Sequence, residues 1–387
     1  MKYNQGVNII ADCIVNSLGF NTQEIFDQMR AGKLGMQEVK GLTQSEPTAM
    51  LSQIDRVRWN QIWDQTNTLP LKEQFTFFEQ LMIYVIQKVV KTAQIDPKQK
   101  NVLFLFSTTK GNIELLDSNL QHNFDAERVH IWESAEIVTQ YFQNNNQPII
   151  LSNACISGTQ ALLIGKSILE NQPYEHLVVV GADLITPFVV AGFQSFKALS
   201  PTPCRPFDLN RDGLNIGEGA AAVVLSKTKK GIVSIENGAV TNDANHISGP
   251  SRTGEGLYRA LIKTLKSVDL SEISFINAHG TATLYNDEME SIAFQRANLL
   301  HLPVNSYKGY FGHTLGAAGL IESILSAHAL NQGIIFPTIG FQELGISKPL
   351  DIVTTERNCN KSFALKTASG FAGCNVVLLI KKGGKDA

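Results

Sequence analysis

Short apolar runs and longer apolar stripes alternate along the chain, and this alternation predicts strands and helices in turn. The segment Glu73–Thr92 repeats apolar residues such as Phe78 and Leu81 at helical intervals, so we expect a helix that packs on the core. The strands predicted in the first half are Val7–Val15, Asn101–Phe106, Ile149–Ser152, His176–Val180 and Ala220–Leu225, and the helices are Thr22–Ala31, Glu73–Thr92, Ser134–Phe142 and Ile156–Glu170. Strands that alternate with helices favour a mainly parallel, layered α/β fold.

The same pattern repeats in the second half of the chain, which suggests a duplicated fold. The second series is strand Ile232–Val240, helix Glu255–Ser267, strand Ile273–Asn277, helix Asp287–Gln295, a short strand around Val304, helix Ala317–Asn331, and paired strands near Ser362–Thr367 and Asn375–Lys381. A short echo supports the duplication, because Asn-Ala-Cys follows one strand at Cys155 and Asn-Ala-His follows another at His279. We therefore predict two pseudo-symmetric halves, residues 1–230 and 231–387. In such a pair, Cys155 and His279 lie at equivalent strand ends and face one cleft.

Composition and charge place the chain among ordinary globular proteins. It has 387 residues, of which 43% are hydrophobic and 18% charged, and its net charge is −2. No excess of charge indicates nucleic acid or an anionic membrane as the main partner. The most apolar stretch, Leu177–Phe193, is interrupted by a glycine, an aspartate and a proline, so we expect no membrane span.

The five cysteines are scattered and lack the spacing of metal ligands. They indicate free thiols in a reducing compartment rather than a disulfide framework. The chain also begins without the long apolar segment of a signal peptide. We therefore expect a cytoplasmic protein with no metal site.

Cys155 directly follows a predicted buried strand and precedes a helical segment of small residues. Unpaired backbone N–H groups and the helix dipole favour a thiolate at such a position, and a thiolate attacks carbonyl carbon. A buried cysteine of the core is the structural alternative. On its position alone, Cys155 is a candidate nucleophile.

Two histidine motifs and a glycine-rich turn add to this candidate. His279 follows an apolar strand, and His313 precedes a helix whose first turn holds small residues, where a neutral imidazole is favoured. The glycines around Phe371 predict a tight turn that presents a backbone N–H group or an aromatic gate. A thiol that accepts an acyl group, with two neutral histidines that bind a developing enolate, suits carbon–carbon bond formation on thioesters.

These motifs resemble those of the elongating β-ketoacyl-acyl-carrier-protein synthases. The matching motifs are Cys155, His279-Gly280-Thr281-x-Thr283, Lys308-x-x-x-Gly312-His313 and Gly370-Phe371-x-Gly373-x-Asn375, in the order and spacing of that family. The resemblance extends from about residue 7 to residue 382 and is weakest across residues 35–100. It implies a thiolase fold, in which two βαβαβαββ halves form five layers, αβαβα. It also implies a homodimer, or a heterodimer with a related synthase-like subunit.

The resemblance assigns a role to each matched side chain. Cys155 would accept the acyl group, and its backbone N–H would form an oxyanion hole with that of Phe371. His279 and His313 would support decarboxylation of the malonyl group and stabilise the enolate. Lys308, with Glu322, would organise this site. The product would be 3-oxoacyl-acyl carrier protein, formed by decarboxylative Claisen condensation.

Further matched residues would contact the substrate. Thr281 and Thr283 would bind the phosphopantetheine arm, Phe371 would gate the nucleophile, and Asn375 belongs to the same turn. The expected partner is acyl carrier protein carrying acyl and malonyl groups. No cofactor is expected besides the phosphopantetheine that the carrier brings.

The sequence departs from the family around the acyl pocket. Ser369, Leu284 and Cys374 stand where the family usually has phenylalanine, proline and threonine. Thr109 lies in a loop that is glycine-rich in related fatty-acid enzymes, where its hydroxyl would face the end of the acyl tunnel. A buried hydroxyl needs a partner and suits a long saturated chain poorly. We therefore predict a specialised synthase that extends polyene or polyketide-like chains instead of, or besides, fatty acids.

Two other classes stay open. The chain could be an interaction subunit such as a chain-length factor, although those partners typically lack the nucleophile that Cys155 supplies. It could also be a thiolase or a starter-unit synthase. Thiolases place a second cysteine near the C-terminus, where this chain has Cys374, but that reading leaves His313 unexplained.

Overall fold

The computed structural model describes residues 6–41, 48–66, 74–117 and 124–383. The strands of the first half are β1 (Val7–Asn16), β2 (Gln37–Lys40), β3 (Thr48–Ser52), β4 (Val102–Ser107), β5 (Ile149–Leu151), β6 (His176–Asp183), β7 (Ile216–Gly217) and β8 (Gly219–Ser226). Its helices are α1 (Thr22–Arg30), α2 (Arg56–Thr66), α3 (Phe77–Ala93), α4 (Ile131–Tyr141), α5 (Ser157–Asn171) and α6 (Pro187–Ser195). The strands of the second half are β9 (Val233–Asn242), β10 (Ile273–Asn277), β11 (Pro303–Asn305), β12 (Ile334–Ile335), β13 (Asp351–Ile352), β14 (Arg357–Asn358), β15 (Phe363–Gly370) and β16 (Cys374–Lys382). Its helices are α7 (Glu255–Leu265), α8 (Leu284–Arg296), α9 (Lys308–Phe311) and α10 (Ala318–Gln332).

The main sheet repeats one strand order on either side of a central junction, where β9 of the second half lies beside β1 of the first half. Its order is β13-β11-β10-β15-β16-β9-β1-β8-β6-β4-β5. Outward from the junction, β1, β8, β6, β4 and β5 of the first half correspond to β9, β16, β15, β10 and β11 of the second. In each half the two inner pairs are antiparallel and the two outer pairs are parallel. This repeat confirms the predicted thiolase fold. The expectation of a mainly parallel sheet is wrong, because the strands nearest the centre pair antiparallel.

Helices α5 and α10 form the middle layer and pack on strands of both halves. They also pack on each other through two glycines. A Cβ atom on Gly158 would lie 2.5 Å from the backbone nitrogen of Leu320, and one on Gly319 would lie 2.6 Å from that of Thr159. The small residues at both helix starts therefore let the backbones approach, and this contact sets the distance between the two halves at the site.

The predicted elements of the repeated pattern are present, with ends that shift by a few residues. Helix α3 begins at Phe77 rather than at Glu73, which lies outside the described residues. Thr76 caps it: its hydroxyl accepts a hydrogen bond from the Glu79 backbone N–H, and the Glu79 carboxylate accepts one from that of Thr76. The pattern missed α2, α6 and the small β2-β3-β7 sheet, because these are short or lie where the resemblance is weakest.

The most apolar stretch of the sequence divides between β6 and α6. Thr186 caps α6 and Pro187 occupies its first turn, so the proline that interrupts the apolar run begins a new helix. Among the described residues, no helix is both long and apolar enough to cross a membrane.

Candidate active site

Three reactive groups meet where the two halves face each other. The Sγ atom of Cys155 and one ring nitrogen each of His279 and His313 lie within 4.8 Å of one another. The two imidazole centroids are 5.2 Å apart and their planes are nearly perpendicular, at 86°. All three side chains are buried and line a cavity of about 420 Å³. The structure thus brings together a thiol and two imidazoles that the sequence places far apart.

Residues beside each functional group adopt left-handed backbone angles. The φ angle is 45° at Ala154, 62° at Ala282, 55° at Leu315 and 63° at Ala372. Such angles cost an L-residue about 1–2 kcal/mol, and they cluster at functional sites when the surrounding structure enforces them. Four sharp turns therefore aim the nucleophile, the threonines, the second histidine and the Phe371 turn at one cavity.

The prediction that the helix start holds Cys155 as a thiolate is wrong for the resting site. Helix α5 begins at Ser157, and burial raises the pKa of Cys155 to about 12, although Lys308 and Lys110 lower it. At neutral pH the group is a thiol. A thiol must lose its proton before its sulfur can attack a carbonyl carbon, and the neighbouring imidazoles are the groups within reach of that proton.

Glu290 holds the backbone that carries His279. Its carboxylate accepts the backbone N–H of His279 at 2.8 Å and that of Gly280 at 2.7 Å, and Asp287 accepts that of Thr281 at 2.9 Å. These two buried acids were not predicted as site residues. The sequence does contain one indication of their role: the two acids are one helical turn apart near the start of α8, which follows the histidine motif.

His313 sits against β7 through its own backbone. Its N–H donates to the carbonyl of Asn215 at 2.8 Å, and its carbonyl accepts the N–H of Gly217 at 3.0 Å. Within the described residues, neither ring nitrogen of His313 has a hydrogen-bond partner. A buried imidazole without a protein partner can bind a substrate carbonyl oxygen.

Both histidines are neutral at physiological pH. Burial is the main cause that holds the pKa of His279 well below its usual range, and the positive charge of Lys308 adds to it. The pKa of His313 is lowered well below its usual range by burial and then by Lys308 and Lys366. A neutral imidazole can donate a hydrogen bond to an oxygen that gains negative charge.

Lys308 connects His279 to Glu322, and the resemblance implied this pairing of Lys308 with Glu322. Its Nζ donates to the carbonyl of His279 at 2.7 Å, lies 3.3 Å from the ring Nδ1, and pairs with Glu322 Oε1 at 2.7 Å. The other Glu322 oxygen lies 2.6 Å from Nζ of Lys366, a buried lysine to which the sequence analysis gave no role. A lysine in a strand carries no spacing signal, so no motif could reveal it.

The cavity walls bring in the threonines and Phe371. Thr281 and Thr283 line the cavity, with their hydroxyl oxygens 2.8 Å apart. Phe371 packs on Phe193 and Phe196 at centroid distances of 5.8 and 5.4 Å. The backbone of its turn also approaches the nucleophile, since a Cβ atom on Gly370 would lie 3.1 Å from the Cys155 nitrogen. The wall suits an apolar acyl group.

Thr109 and Asn375 do not line this cavity within the described residues. The Thr109 hydroxyl donates to the carboxylate of Asp183 at 2.9 Å, and so does that of Thr108. The premise of an unpartnered hydroxyl at the tunnel end is therefore wrong. Asn375 supports the Phe371 turn: it accepts a hydrogen bond from Ser369 at 2.8 Å and donates one to the carbonyl of Gly373 at 2.9 Å.

Solved structures of ketosynthases share this fold. A ketosynthase from Xenorhabdus doucetiae, solved in complex with its chain length factor, superposes with a TM-score of 0.88 at 24% identity, over 99% of each chain. A β-ketoacyl synthase from Burkholderia phymatum superposes with a TM-score of 0.85 at 22% identity, over 98% of this chain and 99% of that one.

Sequence comparison gives the family. The model of the β-ketoacyl synthase N-terminal domain matches residues 4–231, and that of the C-terminal domain matches residues 232–342. A Schizosaccharomyces pombe protein named as a mitochondrial 3-oxoacyl-[acyl-carrier-protein] synthase is 29% identical, over 95% of this chain and 97% of the relative. 3-Oxoacyl-[acyl-carrier-protein] synthase 2 of Staphylococcus aureus is 33% identical over 59% of this chain and 60% of its own length. The chain is a member of the β-ketoacyl synthase family and a condensing acyltransferase.

Proposed function

We propose that Cys155 carries the acyl group in a decarboxylative Claisen condensation that gives 3-oxoacyl-acyl carrier protein. The observation that supports it best is the meeting of the Cys155 thiol with two neutral imidazoles at one cavity. The acyl-transfer step exchanges one thioester for another. The Cys155 sulfur attacks the carbonyl of the acyl carrier, the carrier thiol leaves with the proton that Cys155 gives up, and acyl-Cys155 remains.

The condensation step then forms one carbon–carbon bond. The malonyl carrier loses its carboxylate as carbon dioxide, and the electron pair left behind becomes an enolate on the carrier thioester. His279 and His313 donate hydrogen bonds to the thioester oxygen as its negative charge grows. The enolate carbon attacks the acyl-Cys155 carbonyl, the C–S bond breaks, and the Cys155 sulfur takes up a proton from solvent. The proposed chemistry uses no metal and no cofactor beyond the carrier's own arm.

The carrier arm enters beside α8 in this proposal. Leu284 and Tyr285 line the cavity and are also 57% and 74% exposed, so the cavity reaches the surface there. Thr281 and Thr283 line the same cavity and offer two hydroxyls. We infer that they hold the amide groups of the phosphopantetheine arm, which present both donors and acceptors.

Intact-protein mass spectrometry tests the acyl-transfer step. After incubation with an acyl carrier, the native chain and Cys374→Ala should each gain one acyl mass, whereas Cys155→Ala should gain none. Cys374 is the matched control, because it is a second buried cysteine whose Sγ lies 3.2 Å from the Phe371 carbonyl oxygen. An acyl group that persists in Cys155→Ala and disappears in Cys374→Ala would refute the assignment.

We propose that the chain forms a homodimer through the open edge of the sheet. Strand β5 ends the strand order, and no further strand within the described residues covers it. An uncovered edge strand can pair with a second copy. Light scattering should give twice the chain mass. A monomer that doubles its mass only with a related synthase-like subunit would favour the heterodimer instead.

The acyl chain and the compartment are the remaining parts of the proposal. All five cysteines are free thiols, which supports a reducing compartment, and we propose the cytoplasm. Extension of polyene or polyketide-like chains stays a prediction. It no longer rests on Thr109, because the Thr109 hydroxyl is bonded to Asp183. Ser369 and Leu284 still line the cavity, and competition between saturated and polyene acyl carriers for Cys155 would decide it.

A further inference from the structure

Lys366 lies in strand β15 with its side chain fully buried and its ammonium group beside the histidine site. Its Nζ is 2.6 Å from Glu322 Oε2, 3.3 Å from the carbonyl oxygen of Ala278 and 3.5 Å from that of Asn277. Lys308 takes the other Glu322 oxygen and the carbonyl of His279, at 2.7 Å each. Three consecutive carbonyl groups at the end of β10 therefore face two lysines that share one carboxylate.

Lys366 belongs to a buried cluster of two positive charges and one negative charge. Lys308 and Lys366 pair with the single carboxylate of Glu322, and all three side chains are at most 1% exposed. Glu290, on α8, is the next acid, and it is already bonded to the backbone of His279 and Gly280. Burial of two cations that share one carboxylate is costly, and strongly perturbed buried groups cluster at functional sites.

We propose that Lys366 is a positioning residue of the condensation site: it fixes the strand end that carries His279, and its positive charge adds to the burial that keeps both histidines neutral. This inference rests on the proposed roles of the histidines. The charge acts in two ways. It opposes protonation of either imidazole, and it favours the negative oxygen of the enolate that the imidazoles bind.

The electrostatics of the surrounding groups agree with this geometry. Lys366 is among the causes that lower the pKa of His279 and of His313. Burial lowers the pKa of Lys366 itself to about 8, against the opposing effect of Glu322 and with the help of Lys308. Lys366 is therefore charged at neutral pH and begins to lose its proton just above it.

Three substitutions separate charge from hydrogen bonding. Lys366→Met removes both, Lys366→Gln keeps a donor for the carbonyl groups, and Lys366→Arg keeps the charge. Lys381→Met is the matched control, because Lys381 lies on the adjacent strand β16 with 47% of its side chain exposed. The first readout is NMR titration of the histidine rings, assigned with His279→Asn and His313→Asn, which needs no substrate. The second is the pH profile of carbon dioxide release from malonyl carrier.

We expect Lys366→Met and Lys366→Gln to raise the ring pKa of His279 and His313 by about one unit, a shift that the loss of one nearby like charge can produce. The acid limb of carbon dioxide release should move to higher pH by the same amount, and Lys366→Arg and Lys381→Met should match the native chain. Unchanged ring pKa values in a folded Lys366→Met or Lys366→Gln chain would overturn the proposal.

The native chain provides a readout if these variants do not fold. Its His279 ring signal should show a second inflection between pH 7 and 9, as Lys366 loses its proton. A His279 ring chemical shift that stays constant across that pH range would overturn the proposal as well. If the native chain released no carbon dioxide, the proposed function would fail, while the ring titrations would still decide the role of Lys366.

Discussion

The reactivity of Cys155 depends on two opposing effects on a single thiol. Its place just before α5 favours the thiolate, whereas burial favours the thiol. Burial dominates, because it raises the pKa of Cys155 to about 12 even with Lys308 and Lys110 lowering it. The structure therefore holds Cys155 in its protonated, less reactive form.

This balance can be measured by alkylation. The rate at which iodoacetamide labels Cys155 should rise about tenfold per pH unit from pH 7 to 10 without levelling, since the thiolate fraction rises in that way below the pKa. Cys155→Ser provides the control that subtracts labelling of the other four cysteines. A rate that levels off near pH 7 would mean that the helix start, not burial, sets the pKa.

The residues that the sequence could reveal are those in motifs with fixed spacing. Cys155, His279 and His313 were found in this way, and so was the pair of Lys308 with Glu322. Lys366 and Asp183 were not found, because one side chain in a strand carries no period and their partners come from distant parts of the chain. Thr109 was misjudged, since a sequence does not tell which way a hydroxyl points.

The crossing of α5 and α10 governs the site at the scale of elements. A reactive group precedes each helix: Cys155 lies two residues before α5, and His313 lies five residues before α10. Gly158 and Gly319 set how closely those starts approach. The alternation of strands and helices predicted both helices well, because each is long and strongly apolar. It missed α6 and β7, which are short, although β7 is the strand that holds His313.

Adding a methyl group at this crossing should separate the helices. Gly319→Ala and Gly158→Ala should each destabilise the protein by about 1–3 kcal/mol, because the new Cβ meets backbone that must move. Gly192→Ala in α6 is the control, since a Cβ there meets nothing within 4 Å and alanine favours a helix. Urea unfolding compares the three. Equal midpoints for all of them would contradict the close crossing.

The two halves of the molecule are joined by one sheet, the middle helices and a polar link. His328, on α10 of the second half, bonds through Nε2 to Asp12 on β1 of the first half at 2.8 Å. Burial alone would lower the pKa of His328, but the hydrogen bond to Asp12 and its negative charge outweigh burial and raise it. The duplicated pattern predicted the two halves. The contact between His328 and Asp12 could not be predicted, because the two residues are 316 positions apart and belong to no motif.

This link should make stability depend on pH. Because the pKa of His328 is raised on folding, its contribution is complete below the unfolded pKa of about 6.5 and is lost as pH rises through the folded pKa. His328→Gln should therefore lower the urea midpoint more at pH 5.5 than at pH 9. His301→Gln, at an exposed position, is the control. An equal loss at both pH values would contradict the linkage.

The family match also bears on the alternatives at the scale of the whole molecule. Two β-ketoacyl synthase domain models together match residues 4–342, which speaks against the thiolase reading of Cys374. The chain retains Cys155 and both histidines at one cavity, which speaks against a purely structural subunit. The central claim is therefore that these three groups together carry out the decarboxylative condensation.

Carbon dioxide release from malonyl carrier tests that claim most directly. Cys155→Gln, whose amide imitates an acylated cysteine, should release carbon dioxide and form no 3-oxoacyl product. Addition of His313→Ala in that background should lower the release at least about a hundredfold, within the range of losing one hydrogen-bond donor to a developing oxyanion. Release that is absent from Cys155→Gln, or unchanged when His313 is removed, would contradict the account.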